Sequence, residues 1–276
     1  MEDKWTFLCE AEKSGVPVSP SLRAAKIVCK HRNEEGGLGY KSFSNAANGG
    51  DWIIQEHLNN SSAKLGAVLP NDAPLSTFRV ITAATPLDAD GGAYKTRALS
   101  CVFRAGRAGA ATDHVCILFN VNRETGKVTH GTTNQHWYQL GAAKAAACPW
   151  GVYTHGITHH PDSDQPVVGH SFESEIEQIL AVSEKAHTTL APGVPIIGWD
   201  VAVTEDHGIL LLEGNFSCNF FCADFDMDEY LCMLDAHIGN LTRSPISSTS
   251  LTARAPLSKI SKNVEHFNIQ ELAEFK

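Results

Sequence analysis

The sequence predicts an α+β fold built on antiparallel sheet, and three features of its 276 residues carry that expectation. Val194 to Asn215 (VPIIGWDVAVTEDHGILLLEGN) reads as two strands joined at Glu205-Asp206-His207-Gly208, where polar residues and a glycine interrupt two apolar, β-branched runs. Upstream, Leu75 to Thr85, Ala98 to Arg104 and Val115 to Asn120 read as strands, and Asn122 to Lys127 forms a hairpin turn into Val128 to Gly131. Two stretches read as helices instead. Phe172, Ile176, Ile179, Leu180 and Ala186 repeat at helical spacing through Leu190, and Met227 to Ile238 reads as a covering helix.

The composition is that of an ordinary folded chain, 43% hydrophobic and 19% charged, long enough for one large domain or two lobes. A net charge of −9 argues against a non-specific nucleic-acid binder, since such proteins need a surplus of lysine and arginine to displace counter-ions. The N-terminal MEDKWTFLCE has no apolar signal core, and no stretch approaches the run of about twenty apolar residues that a membrane helix needs. A soluble, cytoplasmic protein without a membrane partner is expected. The eight cysteines lack CxxC spacing, so neither a zinc ribbon nor a dense disulfide framework is expected.

In chain order, Lys26 to Arg32 (KIVCKHR) has a short apolar strand core, Ile27-Val28-Cys29, that delivers Lys30 at its end. The turn that follows holds Gly36, Gly37 and Gly39. It is flexible enough to aim backbone N–H groups at an anion, although such glycine clusters also serve as plain hairpin turns. Asp51 to Leu58 (DWIIQEHL) reads as a buried strand entering a connector, and Asn59 to Pro74 as a polar loop. In the Leu75 to Thr85 strand, alternation puts Phe78 and Val80 on one face and Thr77 and Arg79 on the other. The next strand ends in Arg104. Strand arginines occur at ordinary sheet surfaces, but a pair on neighbouring strands can clamp carboxylate or phosphate with forked donors better than lysine can. His136, His155, His159, His160 and His170 show no HxH or HExxH pattern, so zinc is not expected. Glu173, Glu175 and Glu177 open the long helix, where its dipole favours negative charge.

The hairpin at 194–215 carries the chemistry. If Thr204 pairs with Ile209, antiparallel register sets Ala202 across from Leu211 and Asp200 across from Glu213. Alternation then gives Ile197, Trp199, Val201, Val203, Leu210 and Leu212 to the core face, and Asp200, Glu213 and Asn215 to the other. Carboxylates opposed in this way have Cβ atoms about 5 Å apart and repel. Either the face is solvated, or positive charge sits between them. With the Asn215 amide there are three hard oxygen donors on one face, which suits magnesium, an ion that keeps other positions for water and phosphate.

The run Gly198-Trp199-Asp200 followed by Leu211-Leu212-Glu213-Gly214-Asn215 resembles the metal-binding hairpin of ATP-grasp proteins, in which an Asp and a Glu-x-Asn hold magnesium against the triphosphate. Ser76-Thr77-Phe78-Arg79-Val80 and the lysine-glycine loop resemble two more parts of that family. More narrowly, the sequence is similar to the sugar-transfer-associated branch, related to α-L-glutamate ligases. The resemblance implies an ATP-grasp fold of two lobes with antiparallel sheets and the nucleotide bound between them. A small lobe would occupy residues 1–58, a large lobe 59–240, and a linker with a C-terminal helix 241–276.

The same resemblance implies ATP and Mg2+ as cofactors. Metal would lie at Asp200, Glu213 and Asn215, phosphates at Lys30, Gly36, Gly37 and Gly39, and adenine beside Gln55, Glu56 and Leu58; Arg79, Arg104 and Lys30 would be the catalytic cations. The implied reaction is attack of a small carboxylate on the γ-phosphate, giving an acyl phosphate that an amine acceptor captures with release of ADP. Two positions depart from the family pattern. His31 stands where proline is common, and Asp113-His114 with Leu118-Phe119 replaces an Asp-Asn followed by paired glycines on the acceptor side. A nucleotide-binding module without ligation chemistry, and a phosphotransferase acting on a hydroxyl, would use the same metal site.

Overall fold

Phe78, Phe103 and Phe172 come from three separate segments and meet as one aromatic cluster, with ring centroids 4.8 to 5.3 Å apart. Around this cluster the chain folds, in a computed structural model that describes residues 3–24, 26–30, 40–87, 92–114, 116–133, 156–218 and 223–243. The helices are α1 (Lys4–Lys13), α2 (Ser62–Leu65), α3 (Glu173–Leu190) and α4 (Met227–Arg243). The strands are β1 (Lys26–Cys29), β2 (Lys41–Ser44), β3 (Thr77–Pro86), β4 (Tyr94–Gly106), β5 (Cys116–Val121), β6 (Val128–Thr133), β7 (Ile196–Thr204) and β8 (Gly208–Asn215). β3 to β8 form one six-stranded sheet in the order β6-β5-β4-β3-β7-β8, with β1 and β2 in a separate pair. Every pairing is antiparallel, so the predicted α+β class with antiparallel sheets is what the chain adopts.

Alternation along β3 sorts the large sheet as expected, with Phe78 and Val80 in the main core. That face is closed by α3 through Ile176, Ile179, Val182 and Ala186, and by α1 through Phe7, Leu8 and Ala11. The Ile, Val, Phe and Leu side chains among these each contribute about 1.5–3 kcal/mol when fully buried. On the opposite face α4 covers one end only, seating Met233 against Ile81, Ala83 and Leu99. Among the described residues the other end of that face is open beside Thr77, Arg104, Asp200 and Glu213.

The structure differs from the sequence reading at β2, at α2, which lies within the stretch 59–74 read as a loop, and at three places nearer the cleft. Helix α1 was not expected; Asp3 caps it by accepting from the Thr6 N–H at 2.6 Å, and the segment after it runs beside β8, where the Leu211 N–H donates to Pro17 O at 2.8 Å. Asp51 to Leu58 is not a buried strand. It makes only single bridges, Asn45 with Trp52 and Ser21 with Gln55, and of its residues Leu58 alone is buried. Among the described residues no strand offers it a continuous ladder, and its polar Gln55-Glu56 stays at the surface.

The hairpin closes differently from the expected register. Thr204 pairs with Gly208, not Ile209. Gly208 adopts φ +68°, the left-handed conformation that lets a short loop end one residue early. Val201 then pairs with Leu211 and Val203 with Ile209, which puts Leu211 and Ile209 on the core side in place of Leu210 and Leu212. Between Val201 and Asp200 the register shifts by one, leaving Leu212 as a bulge. Beyond it Asp200 pairs with Glu213 and Gly198 with Asn215, the arrangement the alternation argument required.

Candidate functional site

Register alone brings the site together. Arg79 pairs with Asp200, Asp200 with Glu213, and Thr77 with Arg104, so these five residues from four adjacent strands share one sheet face. All but Arg79 border a cleft of about 920 Å³ whose wall includes Thr77, Arg104, Asp113, Asp200, Leu212 and Glu213. The bulge residue Leu212 is thus part of that wall.

The charges are wired in a line. Arg79 reaches Asp200 through both Nε and Nη2, the latter at 2.9 Å. Arg104 donates from Nη1 to Asp200 Oδ2 at 3.0 Å and from Nη2 to Asp113 Oδ1 at 3.1 Å. The Thr77 hydroxyl donates to the other oxygen of Asp113. Burial would weaken the Arg104 cation, but Asp200 and Asp113 outweigh it and hold its pKa above the ordinary value. Burial also raises the Asp113 carboxyl, against the pull of Arg104 and Thr77. Such buried, forked pairs are strong in geometry and costly to break.

Glu213 is only half-buried. Burial pushes its carboxyl up, yet Lys4 and Asn215 more than offset this and its pKa is lowered. Lys4 Nζ lies 3.1 Å from Oε2, and the Asn215 amide Nδ2 donates to Oε1 at 3.2 Å. Between them, Gly214 lies under the Trp199 ring, where an added Cβ would come within 2.5 Å of the ring edge. Only glycine fits that position, so Glu213 and Asn215 can flank the tryptophan on the same strand. The repulsion foreseen between Asp200 and Glu213 is answered by the chain's own cations, Arg79 and Arg104 on one carboxylate and Lys4 on the other.

The donor chemistry suits magnesium. Asp200, Glu213 and Asn215 offer oxygen ligands alone, and among the described residues no cluster of three or more His, Cys, Asp or Glu side chains competes as a metal centre. Three guanidinium N–H groups fill about three of the four acceptor positions of the Asp200 carboxylate. That leaves Asp200 room to act through one oxygen, while a metal at Glu213 would compete with the Lys4 ammonium for the carboxylate charge.

The remaining expected residues are placed as follows. Gln55, Glu56 and Leu58 line the cleft at its connector side, and Glu56 also meets His207 Nε2 at 3.0 Å. Lys30 directly follows β1, is exposed, and is not part of the described cleft lining. Gly36, Gly37 and Gly39 lie outside the described residues. Arg79 is 8% exposed and stands behind Asp200, reaching the cleft through that carboxylate. Sequence reasoning missed Lys4 and the role of Asp113. The signal for Lys4 was slight: an Asp3 cap and apolar Phe7, Leu8 and Ala11 at helical spacing.

Residues 71–233, more than half of the chain and the part that contains β3 to β8 and α3, match the sequence model of a family described as sugar-transfer associated ATP-grasp. No curated protein matches the chain in sequence. Among solved structures, N5-carboxyaminoimidazole ribonucleotide synthetase from Thermotoga maritima aligns at 10% identity and a TM-score of 0.38, over 86% of this chain and 48% of its own. An N5-carboxyaminoimidazole synthase from Aspergillus clavatus, in complex with ADP and 5-aminoimidazole ribonucleotide, aligns at 9% identity and a TM-score of 0.40, over 86% of this chain and 51% of its own. The chain spans about half the length of these two proteins.

Proposed function

The chain belongs to the sugar-transfer associated ATP-grasp family, and from that membership we propose that it is an ATP- and magnesium-dependent carboxylate–amine ligase working through an acyl phosphate. The observation that carries this reading is the sheet face on which Asp200, Glu213 and Asn215 are held in register beside the cleft. Asp200, Glu213 and Asn215 would hold magnesium, which supplies charge neutralisation on the transferring phosphoryl group. Arg79 fixes Asp200 from behind with a two-point fork. Arg104, pinned between Asp200 and Asp113 in the cleft wall, would present a fixed positive charge to the phosphoryl oxygens. Gln55, Glu56 and Leu58 would border the adenine, and Lys30 with the glycines at 36, 37 and 39 would reach the phosphates from the small lobe at 1–58.

The acceptor would be an amine and the donor a small carboxylate, in the conjugation of amino acids or sugars, for example in cell-surface polysaccharide assembly. No described helix is long and apolar enough to cross a membrane, and a cytoplasmic location would suit an enzyme that consumes ATP. One observation favours a second reading. The Asp200 carboxylate is nearly saturated by two arginines, as suits a nucleotide-binding module that performs no ligation. Incubation with ATP, magnesium, hydroxylamine and a panel of amino acids and sugar acids separates the two. The ligase reading expects ADP release coupled to hydroxamate formation with at least one carboxylate. Nucleotide binding with neither product would support the module, and a phosphorylated hydroxyl would identify a phosphotransferase.

A further inference from the structure

The three cations that neutralise this site are not equally free to leave it. Arg79 and Arg104 have side chains 10% and 12% exposed, the first forked onto Asp200 and the second held between Asp200 and Asp113. Withdrawing either would strand a buried carboxylate. Lys4 differs on both counts. Its side chain is 68% exposed, and it meets Glu213 as a single-point pair at 3.1 Å.

The backbone beneath Lys4 is nonetheless fixed. Phe7, Leu8 and Ala11 root α1 in the main core, and the segment that follows is stitched to β8, with Val18 bridging to Leu211 and Pro17 O accepting the Leu211 N–H. Lys4, on the first turn of that helix, lines both the large cleft and an adjoining recess of about 170 Å³ that contains Glu213, Gly214 and Asn215. A long, flexible ammonium is therefore anchored between the proposed metal ligands and the space a triphosphate would occupy. Ammonium and a divalent cation compete for the same carboxylate, and an ammonium displaced from Glu213 has anionic phosphate as its nearest new partner.

Resting on the ligase reading above, we propose that Lys4 is a further member of the nucleotide site: a tethered counter-ion that covers Glu213, yields it to the divalent cation, and then binds a phosphate oxygen of the nucleotide. Lys4→Met then acts in opposite directions on the two ligands. With Mn2+ as the probe and no nucleotide, followed by electron paramagnetic resonance, the variant binds the ion about two- to fivefold more tightly than wild type, the range set by releasing an exposed ion pair. With Mg2+ present, calorimetry shows ATP binding about tenfold more weakly, the loss of one phosphate contact. Lys13→Met, on the same helix but paired with Glu10 at 2.6 Å, changes neither value. Equal Mn2+ affinity of wild type and Lys4→Met overturns the proposal, as does equal ATP affinity or an equal response from Lys13→Met. Absence of Mn2+ binding in folded wild type as well as variant overturns the metal site itself, and Lys4's role with it.

Discussion

Asp200 on β7 and Glu213 on β8 stand directly across from one another, and the bulge at Leu212 is what puts them there. Without that extra residue, the register set at the Thr204–Gly208 end would carry Leu212 opposite Asp200 and turn Glu213 toward the core. The short turn and the bulge are therefore a matched pair. One advances the register by a residue and the other takes it back.

The turn's part in this is testable at Gly208. Its φ of +68° suits glycine, and nothing lies within 4 Å of where a Cβ would stand, so a substitution there meets backbone strain alone. Gly208→Val should lower unfolding free energy by about 1–2 kcal/mol in urea titration, and Gly208→Asn by clearly less, because asparagine tolerates the left-handed region. Equal losses would show that the turn does not depend on this conformation.

Arg79 should be costly to remove. Its guanidinium makes two contacts with a carboxylate that is itself 6% exposed. Arg79→Ala should cost about 3–5 kcal/mol by urea unfolding, and Arg79→Lys should recover only part of it, since an ammonium cannot reproduce the fork. The exposed Lys4→Met should change stability by less than about 1 kcal/mol.

A second buried polar network predicts a pH dependence. His187 Nδ1 lies 2.6 Å from the Thr82 hydroxyl, its Nε2 donates to Val194 O at 2.8 Å, and Trp199 Nε1 donates to the same Thr82 oxygen at 2.8 Å. The neutral ring satisfies every partner. Burial pushes the imidazole down to about 4, against the Val194 carbonyl, which accepts from the ring and favours its charged form. The unfolded chain, titrating near the ordinary value of 6.5, then binds the proton more readily than the folded one. This stabilisation is complete above about pH 6.5 and is lost as pH falls toward about 4, about 3 kcal/mol in all. Wild type should therefore lose more stability between about pH 7 and about pH 4.5 than His187→Gln does; the same loss in both would contradict the assignment.

How legible this was in the sequence follows from how local each feature is. The split of Phe78 and Val80 from Thr77 and Arg79, and the long helix opening at Glu173, depend on neighbours within one element, and both were readable. The Asp200–Glu213 pairing was reached through an incorrect turn register, because no residue pattern announces that Gly208 takes the left-handed conformation while Leu212 bulges. The strand expected at 51–58 failed for a related reason: an apolar dipeptide at Ile53-Ile54 looks buried until it is known that, among the described residues, only single bridges join this segment to its neighbours. Asp113 and Lys4 were hidden because their meaning comes from contacts with Arg104 and Glu213, which only the assembled sheet provides.

The measurement that bears most directly on the central claim is calorimetric ATP binding, with and without magnesium, by wild type and Glu213→Ala. Glu213 is half-buried and its neighbours are exposed or polar, so the variant should fold. The account predicts magnesium-dependent binding by wild type and its loss in Glu213→Ala. Failure of folded wild type to bind ATP, or binding that ignores both magnesium and the substitution, would contradict it.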